Sequence, residues 1–104
     1  MLTPWGEALD KNAVLQEYPR PQLVRESYYN LNGLWDYAIT ASDACPGAWD
    51  GEILVPFSPE APLSGVGRIL KPGQVLWYRR TLPFAKPDGG RILLHIGAAD
   101  QRAW

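Results

Sequence analysis

Thiols and imidazoles are almost absent from this chain, which has one cysteine, Cys45, and one histidine, His95. A lone cysteine excludes a disulfide within the chain, and Cys45 sits in a polar, turn-rich stretch as a bystander. One histidine excludes a multi-histidine metal site in a single copy, so no metal and no cofactor is expected. Long apolar runs are missing too. Nothing approaches the ~20 residues that span a bilayer, so no membrane partner is expected. Charge of one sign is also lacking, since ten basic and eleven acidic residues give a formal net charge of -1. With no basic stripe, a nucleic-acid surface is not expected. The N-terminus Met1-Leu2-Thr3-Pro4-Trp5-Gly6-Glu7 has no basic n-region and no apolar h-region. The expectation is therefore a cytoplasmic chain.

Turn-forming residues are abundant. Ten Gly and ten Pro make up about a fifth of the 104 residues, against roughly 12% in average usage. Such punctuation excludes long helices and favours short strands joined by turns. The length allows one domain. Five Trp, five Tyr and two Phe suit the core and cross-strand pairs of an all-β domain. The same rings could instead offer a sugar-stacking platform.

Residues 1–30 have weak periodicity and three prolines, and are expected to form an N-terminal arm. Asp10 to Glu17 has the composition for one or two helical turns, capped by Asp10 or Asn12. Asn32-Gly33 is a turn dipeptide that leads into the strand pattern Leu34-Trp35-Asp36-Tyr37-Ala38-Ile39. There Trp35, Tyr37 and Ile39 share a face opposite Asp36 and Thr40. Residues 41–51 read as a loop, and Ile53-Leu54-Val55 as a short buried strand ending at Pro56. Ser58 to Gly67 holds too many prolines and glycines to be regular. Gln74 to Phe84 is the longest expected strand. Arg80 falls on its apolar face, which calls for an inward charge with a partner, or a bulge. Lys86 to Gly90 closes a hairpin onto Arg91–Ile96, whose near-continuous apolarity marks a central strand with His95 packed inside it. The sum is four or five antiparallel strands, an all-β sandwich or part of one over residues 31–104.

Six blocks then occur in order: Tyr18-Pro19-Arg20-Pro21-Gln22, Leu31-Asn32-Gly33-Leu34-Trp35, Val55-Pro56-Phe57-Ser58-Pro59-Glu60, Leu63-Ser64-Gly65, Trp77-Tyr78-Arg79-Arg80 and Leu94-His95-Ile96-Gly97-Ala98-Ala99-Asp100. Each is similar to a piece of the N-terminal sugar-binding domain of glycoside hydrolase family 2. That family includes β-galactosidases, β-glucuronidases and β-mannosidases. The resemblance implies a jelly-roll-like, galactose-binding-domain-like antiparallel β-sandwich. In the family further strands follow the last block, so an incomplete sandwich is expected here. It also implies a parent with an immunoglobulin-like domain and a (β/α)8 barrel carrying two catalytic glutamates.

Such a barrel takes roughly 250 residues, so no catalytic residue is assigned within these 104. Retaining glycosidases need two carboxyl groups about 5 Å apart, and no spacing marks Glu52, Glu60 or Asp100 as such a pair. By resemblance, the loop from Phe57 to Gly65 looks toward the sugar pocket. Ser58 and Glu60 are its candidate carbohydrate-binding residues, a hydroxyl and a carboxylate suited to sugar hydroxyls. The competing account has Glu60 capping the loop's own amides and Ser58 merely turning the chain. Carbohydrate is the expected partner. A sandwich lacking strands exposes apolar faces and strand edges, so a homo-oligomer or strand-exchanged dimer is also expected. Two other roles remain open: a stand-alone carbohydrate-binding module using Trp5, Trp49 or Trp77, and an interaction protein using an exposed β-edge.

Overall fold

The computed structural model describes residues 2–17, 28–84, 88–99 and 102–104. The first block, Tyr18 to Gln22, and the acidic end of the last, Asp100, lie outside them. So does the part of the expected hairpin at 85–87.

Three strands form one antiparallel sheet: β1 (Gly33–Thr40), β2 (Gly51–Val55) and β3 (Val75–Arg79), in the order β2-β1-β3. The described residues are therefore all-β in character, with helix confined to α1 (Pro4–Glu7) and a 3-10 turn at Pro62–Ser64. Register fixes the faces. Trp35 lies opposite Ile53, Tyr37 opposite Tyr78 and Ile39 opposite Leu76, which confirms the face read from β1. Asp36 pairs on the other face with both Glu52 and Arg79. That second face is not wholly solvated, because Ala38 and Leu54 are buried as well. The apolar core is small: Val14, Tyr37, Ala38, Ile53 and Leu54.

Two local devices set the strand limits. Gly33 opens β1 with φ +132°, a value that side-chain-bearing residues resist. A Cβ there would also come within 3.5 Å of Arg80 Nη1. At the other end, Asp50 continues the ladder with its side chain. Its N–H donates to Tyr37 O at 2.9 Å, and its Oδ2 accepts from the Ile39 N–H at 2.8 Å. Gly51 follows at the start of β2, where the Tyr37 ring edge lies 3.4 Å from the position of a Cβ.

Several expectations need correction. The helical turn is at Pro4–Glu7, capped by Thr3 Oγ1 accepting from the Gly6 N–H, and not over Asp10–Glu17. Asp10 instead accepts from the Asn12 N–H at 2.9 Å, which spends it on a turn. β3 stops at Arg79 rather than reaching Phe84, and Leu82 and Phe84 are exposed. The reason is Arg80, whose guanidinium turns back onto the carbonyls before β1, while Pro83 has no N–H for a ladder. Residues 91–96 form no strand, and Ile92, Leu93, Leu94 and Ile96 are exposed. His95 is exposed with them rather than packed. Alternating apolarity makes a strand only where an edge accepts its hydrogen bonds, and none of the described residues supplies that pairing.

Candidate functional site

The loop after β2 is built as a series of turns pinned at both ends. Phe57 N–H donates to Leu54 O at 3.1 Å, Ala61 N–H to Ser58 O at 3.0 Å, and Arg68 N–H to Pro59 O at 2.9 Å. The centre of this arrangement is Ser64, which is buried in the 3-10 turn. Its Oγ–H points toward Ala61 O at 2.7 Å and Pro59 O at 3.3 Å, and its Oγ accepts from the Val66 N–H at 3.1 Å. Gly65 closes the turn with φ +81°, the left-handed conformation for which glycine is suited.

Ser58 and Glu60 sit on the outside of this loop, and both are exposed. Among the described residues neither side chain makes a hydrogen bond. The backbone-capping role entertained for Glu60 is performed by Ser64. Pattern reading missed Ser64 because its signal is weak: a serine after Pro-Leu and before Gly, a common setting for a side chain that bonds local backbone. Removing the hydroxyl strands a buried N–H and two carbonyls. Ser64→Ala is expected to cost about 1–3 kcal/mol and to speed amide exchange at Gly65 and Val66. Glu60→Gln and Ser58→Ala should stay within about 0.5 kcal/mol of the parent, as exposed positions do. Urea denaturation of the three variants checks both statements.

Glu60 is nevertheless near the sheet. The Tyr78 phenol has its pKa raised, mainly by burial and secondarily by the negative charge of Glu60. A raised phenol pKa means that the folded state holds its proton more tightly than the unfolded chain. The resulting stability is whole below the ordinary tyrosine pKa of about 10 and is lost as pH rises through the folded value. Tyr78→Phe should flatten this alkaline loss, and Glu60→Gln should bring the Tyr78 titration closer to normal. Absorbance at the phenolate band, followed with pH, measures both.

The two arginines of the Trp77–Arg80 block part company, as strand alternation requires. Arg79 donates from Nε and Nη2 to Asp36 Oδ2 at 3.1 and 2.8 Å, and its guanidinium carbon lies 4.4 Å from the centre of the Trp49 ring. This pair is exposed and contributes about 1 kcal/mol at most. Trp77 donates its Nε1–H to Thr40 Oγ1 at 2.8 Å. Of the rings weighed as a sugar platform, Trp49 already carries a guanidinium on its face and Trp77 is tied to β1. Trp5 is exposed on α1.

Arg80 faces inward. Its Nη1 donates to Leu31 O and Asn32 O, and its guanidinium lies 5.9 Å from the centre of the Trp35 ring. Trp35 Nε1–H donates to the same Leu31 carbonyl at 2.7 Å. An inward charge with a partner is thus what the apolar face of β3 contains.

The described carboxylates do not converge as an acid and a nucleophile would. Asp36 is paired with Arg79, and Asp50 is used by β1 and lies 3.9 Å from Arg68. Among the described residues no three His, Cys, Asp or Glu side chains group to hold a metal ion, and no helix is long and apolar enough to cross a membrane. No family model matches the chain, and no curated protein matches it.

Proposed function

We propose that this chain is part of the N-terminal accessory domain of a family 2 glycoside hydrolase acting on β-glycosides, with no catalysis of its own. The observation that carries the reading is the loop of 56–68. Internal hydrogen bonds fix its backbone, yet Ser58 and Glu60 are left in solvent with their polar atoms unspent. A ligand-facing loop needs that division between a fixed frame and unspent donors and acceptors. The six ordered blocks supply the family, and the three-stranded sheet is the portion of a jelly-roll-like sandwich that these residues build. In this reading Ser58 and Glu60 border a sugar pocket whose other wall is a catalytic barrel.

The exposed apolar side chains of 92–96 belong to the same proposal. They are a strand awaiting an edge, filled by further sheet or by exchange with a second copy. A stand-alone module is less well supported, since Trp49 and Trp77 are already engaged.

Nitrophenyl β-galactoside, β-glucuronide and β-mannoside incubated with the purified chain should release no nitrophenol above buffer. In amide spectra, a methyl β-glycoside should perturb residues 57–66 if it perturbs any. Turnover that follows the chain through purification contradicts the proposal. So do sugar shifts centred on Trp5, Trp49 or Trp77, which would favour the module.

A further inference from the structure

Away from the Ser58 and Glu60 loop, a cavity of about 290 Å³ lies between the 12–16 segment and the 28–32 segment, with Arg80 at its wall. Its lining includes Gln16, Tyr28, Tyr29, Asn30, Asn32 and Arg80. The volume is at the small end of ligand pockets. Arg80 is the one charged group among the described residues that line it, and no carboxylate balances it there.

The amide groups are unevenly spent. Gln16 Nε2 and Asn32 Nδ2 donate to Val14 O at 3.0 and 3.3 Å, and Asn30 Nδ2 donates to Leu15 O at 2.9 Å. Asn30 Oδ1 accepts from the Asn32 N–H at 2.8 Å. These bonds fix the walls, as does the packing of the Tyr29 ring on Phe84 at 5.2 Å. Left over among the described residues are the amide oxygens of Gln16 and Asn32, which are acceptors. Also left over are Nε and Nη2 of Arg80, the edge of the guanidinium not used on Leu31 and Asn32. Acceptors of this kind require hydroxyl donors, and a free guanidinium edge suits a carboxylate in two-point contact.

We propose that this cavity binds a small hydroxylated monocarboxylate, with the carboxylate on the Nε and Nη2 edge of Arg80 and its hydroxyls on the Gln16 and Asn32 amide oxygens. The site stands independently of the sugar-pocket loop, and its ligand needs both halves of its chemistry. An anion without hydroxyls leaves the amide oxygens unpaired, and a polyol without charge leaves Arg80 unpaired.

The test uses four probes at constant ionic strength: D-glycerate, propionate, glycerol and inorganic phosphate. Each is titrated into the labelled chain while the Arg80 Nε–H, the Gln16 and Asn32 side-chain amides and the backbone of 30–32 are followed. Glycerate should shift these signals saturably. Propionate, glycerol and phosphate should each bind at least about tenfold more weakly, the equivalent of one or two lost hydrogen bonds. Gln16→Leu should bring glycerate down toward propionate while leaving propionate unchanged, and Arg80→Gln should remove both acids. Because Arg80 also holds the 31–32 carbonyls, the Gln16 variant decides the matter where the Arg80 variant loses its fold. Glycerol or propionate binding as tightly as glycerate overturns the proposal. The same holds for phosphate matching glycerate, for glycerate giving no saturable shift, or for Gln16→Leu leaving its affinity intact.

Discussion

Arg80→Met should destabilise the chain by about 3 kcal/mol, more than any other change at a charged position. The substitution keeps much of the apolar stem but removes the guanidinium that bonds Leu31 O and Asn32 O. Hydrogen bonds from a charged donor contribute about 1.5–3 kcal/mol, and the contact with Trp35 adds roughly 0.5–1 kcal/mol. The consequence is structural as well as energetic. Those carbonyls immediately precede Gly33, so the clamp sets the direction from which the chain enters β1. Arg80→Lys should recover less than half of the loss, because an ammonium lacks the planar fork that spans two carbonyls while lying near a ring. The midpoint of urea unfolding measures the effect. The Trp35 indole N–H resonance should shift as well, since Leu31 O also accepts from it. A change below about 0.5 kcal/mol, the usual size for exposed positions, would mean that the guanidinium is not seated on these carbonyls.

Ile53→Ala should have an effect of similar or greater size, about 2–5 kcal/mol. Ile53 has no exposed surface, and the apolar core contains four other buried residues: Val14, Tyr37, Ala38 and Leu54. With so few large side chains, neighbours cannot close the gap without opening another. Single domains hold roughly 5–15 kcal/mol in total, so this one substitution removes much of the margin. A thermal midpoint lower by at least about 8 °C is expected, given ~4–8 °C per kcal/mol for domains of this size. Ile53→Val, which removes one methylene, should cost about 0.5–1.5 kcal/mol. Equal melting of both variants and the parent would show that Ile53 is not enclosed.

How far the sequence reached depended on whether a signal was local. β1 and β2 were readable because alternation, the Asn32-Gly33 turn and the stop at Pro56 act within a few residues of the element they define. The role of Arg80 was also readable, since a charge on an apolar face demands a partner whatever the fold. Its consequence was not. That β3 would end at the clamp depended on carbonyls almost fifty positions away. The pattern at 91–96 misled for the opposite reason. Its alternation describes what the segment would do beside a strand edge, and the described residues provide none. α1 was missed because Thr3-Pro4 is a short start signal without an apolar periodic run behind it. At the candidate site, Ser58 and Glu60 were found as polar residues on a loop. The residue that shapes the loop, Ser64, was overlooked because a buried serine bonding local backbone looks in sequence like any turn serine.

Extending the coding sequence past the codon for Trp104 offers the sharpest single test of the proposed role. An open frame should follow, encoding the remaining sandwich strands, an immunoglobulin-like domain and a (β/α)8 barrel with two glutamates placed for retaining hydrolysis. A frame leading instead into an unrelated domain, or a stop directly after Trp104, would contradict the assignment to a family 2 glycoside hydrolase.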